Sequence, residues 1–128
     1  CVRARARGGT PLLIYQGKKT NFNQEKVLKN FITRPYGRSA VALHKDRKTL
    51  FFVLVEGGDK WTYKLGLKDG MSLSRLADFL LKKGCEFALN LDGGYSSSLM
   101  IKNKLIRYPF FSLLEEREIS NILVVKRK

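Results

Sequence analysis

The chain has 128 residues, 44% of them hydrophobic, with 25 Lys and Arg against 11 Asp and Glu and a formal net charge of +14 at pH 7. That length holds one domain with a core, no apolar run approaches the ~20 residues of a membrane-spanning helix, and the two cysteines, Cys1 and Cys85, show no CxxC spacing, which argues against zinc and for two free thiols. The charge favours anionic partners, whether phosphate-bearing substrates, acidic envelope polymers or nucleic acid, and does not choose among them.

Residues 1–10 alternate Arg with small residues and read as an edge strand or a basic arm. Pro11 to Tyr15 is a short apolar strand entering the turn Gln16-Gly17-Lys18-Lys19. Asn23 to Phe31 is weakly helical, with Asn23 as cap and Val27, Leu28 and Phe31 on one face. Ser39 to His44, the charged turn Lys45 to Lys48 and Leu50 to Val55 predict a hairpin, and the continuous apolar run of its second strand predicts burial on both faces. Gly57-Gly58-Asp59 ends that strand.

A helix is predicted after Ser72, a good N-cap: Leu73, Leu76, Ala77, Leu80 and Leu81 recur at helical spacing, Lys82 and Lys83 suit its negative end, and Gly84 can cap it. Cys85 to Leu91 then reads as a core strand running into Asp92-Gly93-Gly94. Ser98 to Ile101 and Leu105 to Tyr108 predict another hairpin closed by Pro109, and Asn121 to Val125 a last strand. Hairpins with interspersed helices give an α+β fold with a mixed, mainly antiparallel sheet and packed helices.

The segment richest in chemistry is Asn90 to Ser98. Adjacent Gly93 and Gly94 allow close substrate approach, three serines follow, and turn amides can converge on an anion. Asp92 adds a carboxylate at the strand's mouth, and Asn90, two positions earlier, lies on the same strand face. Such groups can hold a phosphate while a carboxylate activates water or meets a developing oxocarbenium ion. An Asp-Gly turn with solvated serines is the commoner meaning of so short a pattern.

The wider pattern shifts that balance. Ala88 to Ser97 resembles the ALNLDGGxSS signature of the phosphodiester glycosidases. Pro11-Leu12-Leu13 with Gly17-Lys18, Arg38-Ser39-Ala40, Val55-Glu56-Gly57, Gly70-Met71-Ser72-Leu73 with Leu76-Ala77, and Arg117 with Ser120-Asn121 resemble further elements of that family in the same order. The resemblance implies that Asp92 is the principal catalytic carboxylate, that Arg38 binds the phosphodiester, and that Asn90, Gly93, Gly94, Ser96 and Ser97 orient substrate or shape the loop, with Arg117 and Asn121 as secondary candidates. Glu56, at a strand end, is the candidate for a second carboxylate, although a strand-end Glu is more often a surface charge. His44 reads as structural.

Three positions depart from the family pattern: Tyr95 stands where many relatives have glycine, Ser39 replaces Thr, and Glu56 replaces Asp. An Asn-Gly-Gly-aromatic-Phe segment of the family has no counterpart here. Residues 1–128 therefore read as the C-terminal portion of the family's domain, the absent element lying on an N-terminal segment or a second chain, or missing from this copy altogether. The resemblance further implies a hydrolase acting outside the cytoplasm on a phosphodiester-linked glycan, such as an envelope glycan or teichoic-acid-like polymer; no cofactor is expected, since no ligand cluster in the sequence demands a metal ion. The competing reading is a non-catalytic basic module that binds nucleic acid or acidic glycan; without an RNP, KH or zinc-finger pattern, nucleic acid is the weaker partner.

Overall fold

The computed structural model of the chain describes residues 9–22, 25, 27–57, 70–93, 97–105 and 123–125. Strand β1 (Leu12–Tyr15) reverses through Gln16 and Gly17, at φ +49° and +73°, into the two-residue β2 (Lys18–Lys19). Left-handed backbone at both turn positions gives the twist that a two-residue hairpin needs. Helix α1 (Lys29–Thr33) begins later than its apolar spacing suggests. Leu28 occupies the N-cap in an extended conformation and offers no side-chain oxygen to the first turn, so nothing holds Val27 and Leu28 in the helix; Asn23 lies outside the described residues.

Strands β3 (Arg38–His44) and β4 (Leu50–Val55) form the expected antiparallel hairpin. Its turn is organised by Asp46, whose carboxylate accepts the N–H groups of Lys48 and Thr49 at 2.8 and 2.9 Å and the Thr49 hydroxyl at 2.8 Å. Those hydrogen bonds hold the Asp46 carboxyl well below the ordinary carboxylate range. Helix α2 (Leu73–Lys82) starts where its cap predicts, with the Ser72 hydroxyl accepting from the Arg75 N–H at 3.3 Å. Leu73, Leu76, Ala77 and Leu80 are wholly buried along its inner face. Gly84, at φ +78°, turns the chain into β5 (Cys85–Leu91).

The five strands form one sheet in the order β2-β1-β5-β3-β4, and every pairing in it is antiparallel. Helix α2 packs on β5 and β1, and α1 packs on α2, so the core lies between one sheet face and the helices. Ala40, Ala42 and Ala88 line that face with small side chains beside Leu13 and Ile14. The expectation of a doubly buried β4 is not met: Phe51, Val53 and Val55 pack against the core, while Leu50 and Phe52 are exposed. Strand β4 lies at the end of the sheet order, with the core on one face alone.

The hairpin of β6 (Met100–Ile101) and β7 (Lys104–Leu105) starts two residues later than expected and reverses through Lys102 and Asn103 at φ +49° and +62°; Ile106 to Pro109 lie outside the described residues. Leu123, Val124 and Val125 are exposed and outside any strand, against the expectation of a last strand there; Asn121 and Ile122 lie outside the described residues. Cys85 is a buried free thiol whose pKa burial pushes up. Among the described residues no helix is long and apolar enough to cross a membrane.

Because Leu76 and Leu80 fill the helix-sheet core, Leu76→Ala or Leu80→Ala should each cost about 2–5 kcal/mol in urea unfolding, and Phe79→Ala, on the exposed side of the same helix, less than half as much.

Candidate active site

Antiparallel register brings the start of β3 and the ends of β4 and β5 to one end of the sheet. Arg38 pairs with Val55, and Ser39 with Leu91, so continuing each ladder by one step sets Gly37 beside Glu56 and Arg38 beside Asp92. The approach is close enough to demand glycine. A Cβ on Gly57 would fall 2.0 Å from the Gly37 nitrogen, and one on Gly93 would fall 2.5 Å from the Gly37 carbonyl oxygen. Gly37 was not singled out in the sequence; its signal is its place immediately before an apolar strand.

Arg38 does not project into solvent at the strand's mouth. Its side chain is 1% exposed, turned toward the helices on the same face as Ala40 and Ala42. Nε donates to the Met71 carbonyl at 2.9 Å, and Nη2 donates to the carbonyls of Phe31 at 2.6 Å and Arg34 at 3.0 Å. The guanidinium carbon lies 4.4 Å from the centre of the Phe31 ring and 5.2 Å from that of Tyr36. Two of the three acceptors are carbonyls at the C-terminal end of α1, which helical geometry leaves without partners and which favour a cation. Burial lowers the pKa of Arg38 to about 10, so it remains charged at neutral pH. Its Nη1 is buried without a hydrogen-bond partner among the described residues.

Asn90 lies on the same sheet face, paired with Ala40, and is also 1% exposed. Its amide nitrogen donates to the carbonyls of Thr10 at 2.8 Å and Leu91 at 2.9 Å, and Oδ1 has no partner among the described residues. Thr10 is tethered in turn by Glu25, whose carboxylate accepts the Thr10 hydroxyl at 2.5 Å and the Leu12 N–H at 2.8 Å. Nothing in the sequence marked Glu25, which reads there as one of several charges on a weak helix.

Asp92 is exposed immediately beyond β5. Its main-chain carbonyl accepts the hydroxyls of Ser39 and Ser97, the second at 3.1 Å, and the two serine oxygens lie 3.3 Å apart. Ser97 is only 6% exposed. Glu56 is exposed just after β4, where alternation continues the outward row of Phe52 and Leu54 and not the row of Val55 that faces Arg38. The structure thus gathers Arg38, Asn90, Asp92, Gly93 and Ser97 at one end of the sheet, with Glu56 beside them in the opposite row. Gly94, Ser96, Arg117 and Asn121 lie outside the described residues. His44 sits at the far end of β3, its ring centre 6.3 Å from that of Phe51. Among the described residues no three His, Cys, Asp or Glu side chains are grouped to hold a metal ion.

A family model described as phosphodiester glycosidase matches residues 2–126. Among solved structures, the chain is similar to a hypothetical protein from Synechocystis, with 32% identity over 76% of this chain and a TM-score of 0.62. It is also similar to the catalytic domain of zebrafish N-acetylglucosamine-1-phosphodiester α-N-acetylglucosaminidase auto-inhibited by its pro-peptide, with 27% identity over 79% of this chain and a TM-score of 0.64. The matches span 17% and 34% of those two chains, so the chain matches only a minor part of the length of each. None of the curated protein sequences matches it.

Removing the Arg38 fork takes that donor from the carbonyls of Phe31 and Arg34 and leaves the Met71 carbonyl with the Tyr36 N–H alone. Arg38→Leu should therefore lower unfolding free energy by about 3 kcal/mol or more, and Arg38→Lys, whose single ammonium reaches fewer of them, by roughly half as much, both read by urea titration.

Proposed function

Since the chain belongs to the phosphodiester glycosidase family, we propose that it contributes the catalytic end of an enzyme hydrolysing a sugar-1-phosphodiester, with Asp92 as the principal carboxylate. The observation that carries this reading is the meeting of a solvent-facing carboxylate, a buried guanidinium and a glycine-shaped loop at one end of the sheet. The zebrafish relative is named for N-acetylglucosamine-1-phosphodiester, which makes an α-linked amino sugar the first substrate to try. Envelope glycans carrying such linkages, met outside the cytoplasm, are the class we favour.

The reaction breaks the bond between the anomeric carbon and the phosphodiester oxygen. Water supplies the oxygen that replaces it, the electron pair of the broken bond leaves with the phosphate, and the water's proton passes to the Asp92 carboxylate and then to solvent. A glycosidase ordinarily needs a second carboxylic acid to protonate its leaving group. Here the leaving group is a phosphate monoester with a second pKa near ~6, which departs as an anion at neutral pH without an acid's help. One carboxylate suffices on this chemistry, consistent with Glu56 in the opposite row.

The main chain of Gly93 and Gly94 and the hydroxyl of Ser96 are our candidates for direct contact with the phosphate oxygens. Asn90 holds the end of β5 against the Thr10 segment and so supports the loop from behind. Arg38 acts on the bound anion chiefly through its charge, because its donors are given to main-chain carbonyls and Nη1 is enclosed. Arg117 and Asn121 remain candidates for the substrate's far side.

Asp92→Asn should lower the release of N-acetylglucosamine from its synthetic 1-(methyl phosphodiester) by roughly 10²–10⁴-fold while leaving circular dichroism and thermal unfolding unchanged. Full activity of that variant would remove Asp92 from the mechanism.

A further inference from the structure

We propose that Ser39 and Ser97 are positioning residues that act together on the Asp92 carbonyl, fixing the direction of the Asp92 carboxylate and not touching substrate themselves. The inference rests on the reading of Asp92 as the catalytic carboxylate and assigns the two serines a task that this reading leaves open.

The geometry carries it. Ser39 stands on β3, opposite Leu91, and Ser97 follows the glycine loop; the two are 58 positions apart in sequence, yet the Ser39 hydroxyl donates to the Asp92 carbonyl and the Ser97 hydroxyl shares its proton between that carbonyl, at 3.1 Å, and the Ser39 oxygen, at 3.3 Å. A carbonyl has two lone pairs, so two donors saturate it. Strand pairing has ended by Asp92, and no main-chain ladder remains to hold this peptide group. The hydroxyls replace that ladder. On the other side of the same peptide bond Gly93 lies against Gly37 and Arg38, where an added Cβ would meet the Gly37 oxygen at 2.5 Å and the Arg38 Cα at 3.2 Å. The Asp92–Gly93 peptide is thus held by hydroxyls at its oxygen and by close packing at its following residue, which restrains the backbone torsions that set where the Asp92 side chain leaves the main chain.

Ser97 is too enclosed, at 6% exposure, to serve as a substrate contact and a clamp at once. A clamp also explains why the residue type at 39 should be a hydroxyl at all: in the same position an alanine would satisfy the strand equally well, but would leave the Asp92 carbonyl with one donor.

The test uses the full chain and four variants, with turnover of N-acetylglucosamine-1-(methyl phosphodiester) and the ¹³C′ resonance of Asp92 as separate readouts. Ser39→Ala is expected to lower kcat about 10-fold or more with KM within twofold, since a misaimed carboxylate weakens the chemical step and not binding. Ser39→Thr, which retains the hydroxyl, should restore kcat to within threefold of the original. Adding Ser97→Ala to Ser39→Ala should lower kcat by less than the product of the two single effects, because both act through one carbonyl. The Asp92 ¹³C′ resonance should move in both alanine variants and return in Ser39→Thr.

A raised KM with unchanged kcat, or an unmoved Asp92 ¹³C′ resonance, overturns the positioning role. Asp92→Asn run in parallel separates the two ideas. If it retains full turnover, the catalytic reading fails and the resonance alone decides whether the clamp exists; if it is inactive while Ser39→Ala keeps full kcat, the clamp fails and the catalytic reading stands.

Discussion

The buried guanidinium of Arg38 is the contact on which this end of the molecule depends. A cation taken out of water costs several kcal/mol unless its donors are met, and here Nε and Nη2 are met by neutral main-chain carbonyls of Phe31, Arg34 and Met71, while Nη1 has no partner among the described residues. Those three residues come from the end of α1, the segment after it and the entry to α2. Phe31 and Tyr36 supply ring faces near the guanidinium plane, which a fork of delocalised charge tolerates better than an ammonium would. The Met71 carbonyl also accepts the Tyr36 N–H, and the Met71 N–H donates to the Tyr36 carbonyl, so a single side chain and a single bridge join the helical layer to the start of β3.

That junction explains the glycines. With the Tyr36–Arg38 backbone held from the helix side, the ends of β4 and β5 must pass it at main-chain contact, and only glycine leaves room at Gly57 and Gly93. Gly70, at φ +66° and with the Tyr36 carbonyl 2.5 Å from where its Cβ would stand, meets the same segment from the α2 side. The glycine after Asp92 is therefore first a packing requirement. At Gly93 the path of the chain is set by the segment beneath it.

Elements with local causes were legible in the sequence. Helix α2 was, because Ser72, the apolar spacing from Leu73 to Leu80 and Gly84 each act within a turn of chain; the β3–β4 hairpin was, because its turn closes on Asp46; and the passage of β5 into Asp92 was, because a strand followed by two glycines must deliver its last side chain to an edge. The fate of Arg38 was not. An arginine opening a strand ordinarily points to water, and its burial depends on carbonyls from segments whose mutual placement the sequence does not state. The exposure of β4 was hidden for a related reason: β5 enters the sheet between β1 and β3, which leaves β4 at the edge, and an apolar run looks the same in either place. One step along a strand decides which face a carboxylate joins, and at Glu56 the residue type alone does not state it.

Charge, finally, has a local as well as a global form here. Ion pairs among the described residues include Lys19 with Asp78 and Arg47 with Glu86, both away from the Arg38 end of β3. Arg38 has no carboxylate partner among them. Its hydrogen bonds go to uncharged groups, so its full positive charge persists in a low-dielectric setting, where it reaches further than the same charge at the surface. Asp92, although the next residue across the strand ladder, forms no ion pair with it among the described residues and stands in solvent. On the function proposed above, that separation lets them act on different parts of one substrate, the cation on the phosphate that carries away the electron pair and the carboxylate on the sugar carbon from which it departs.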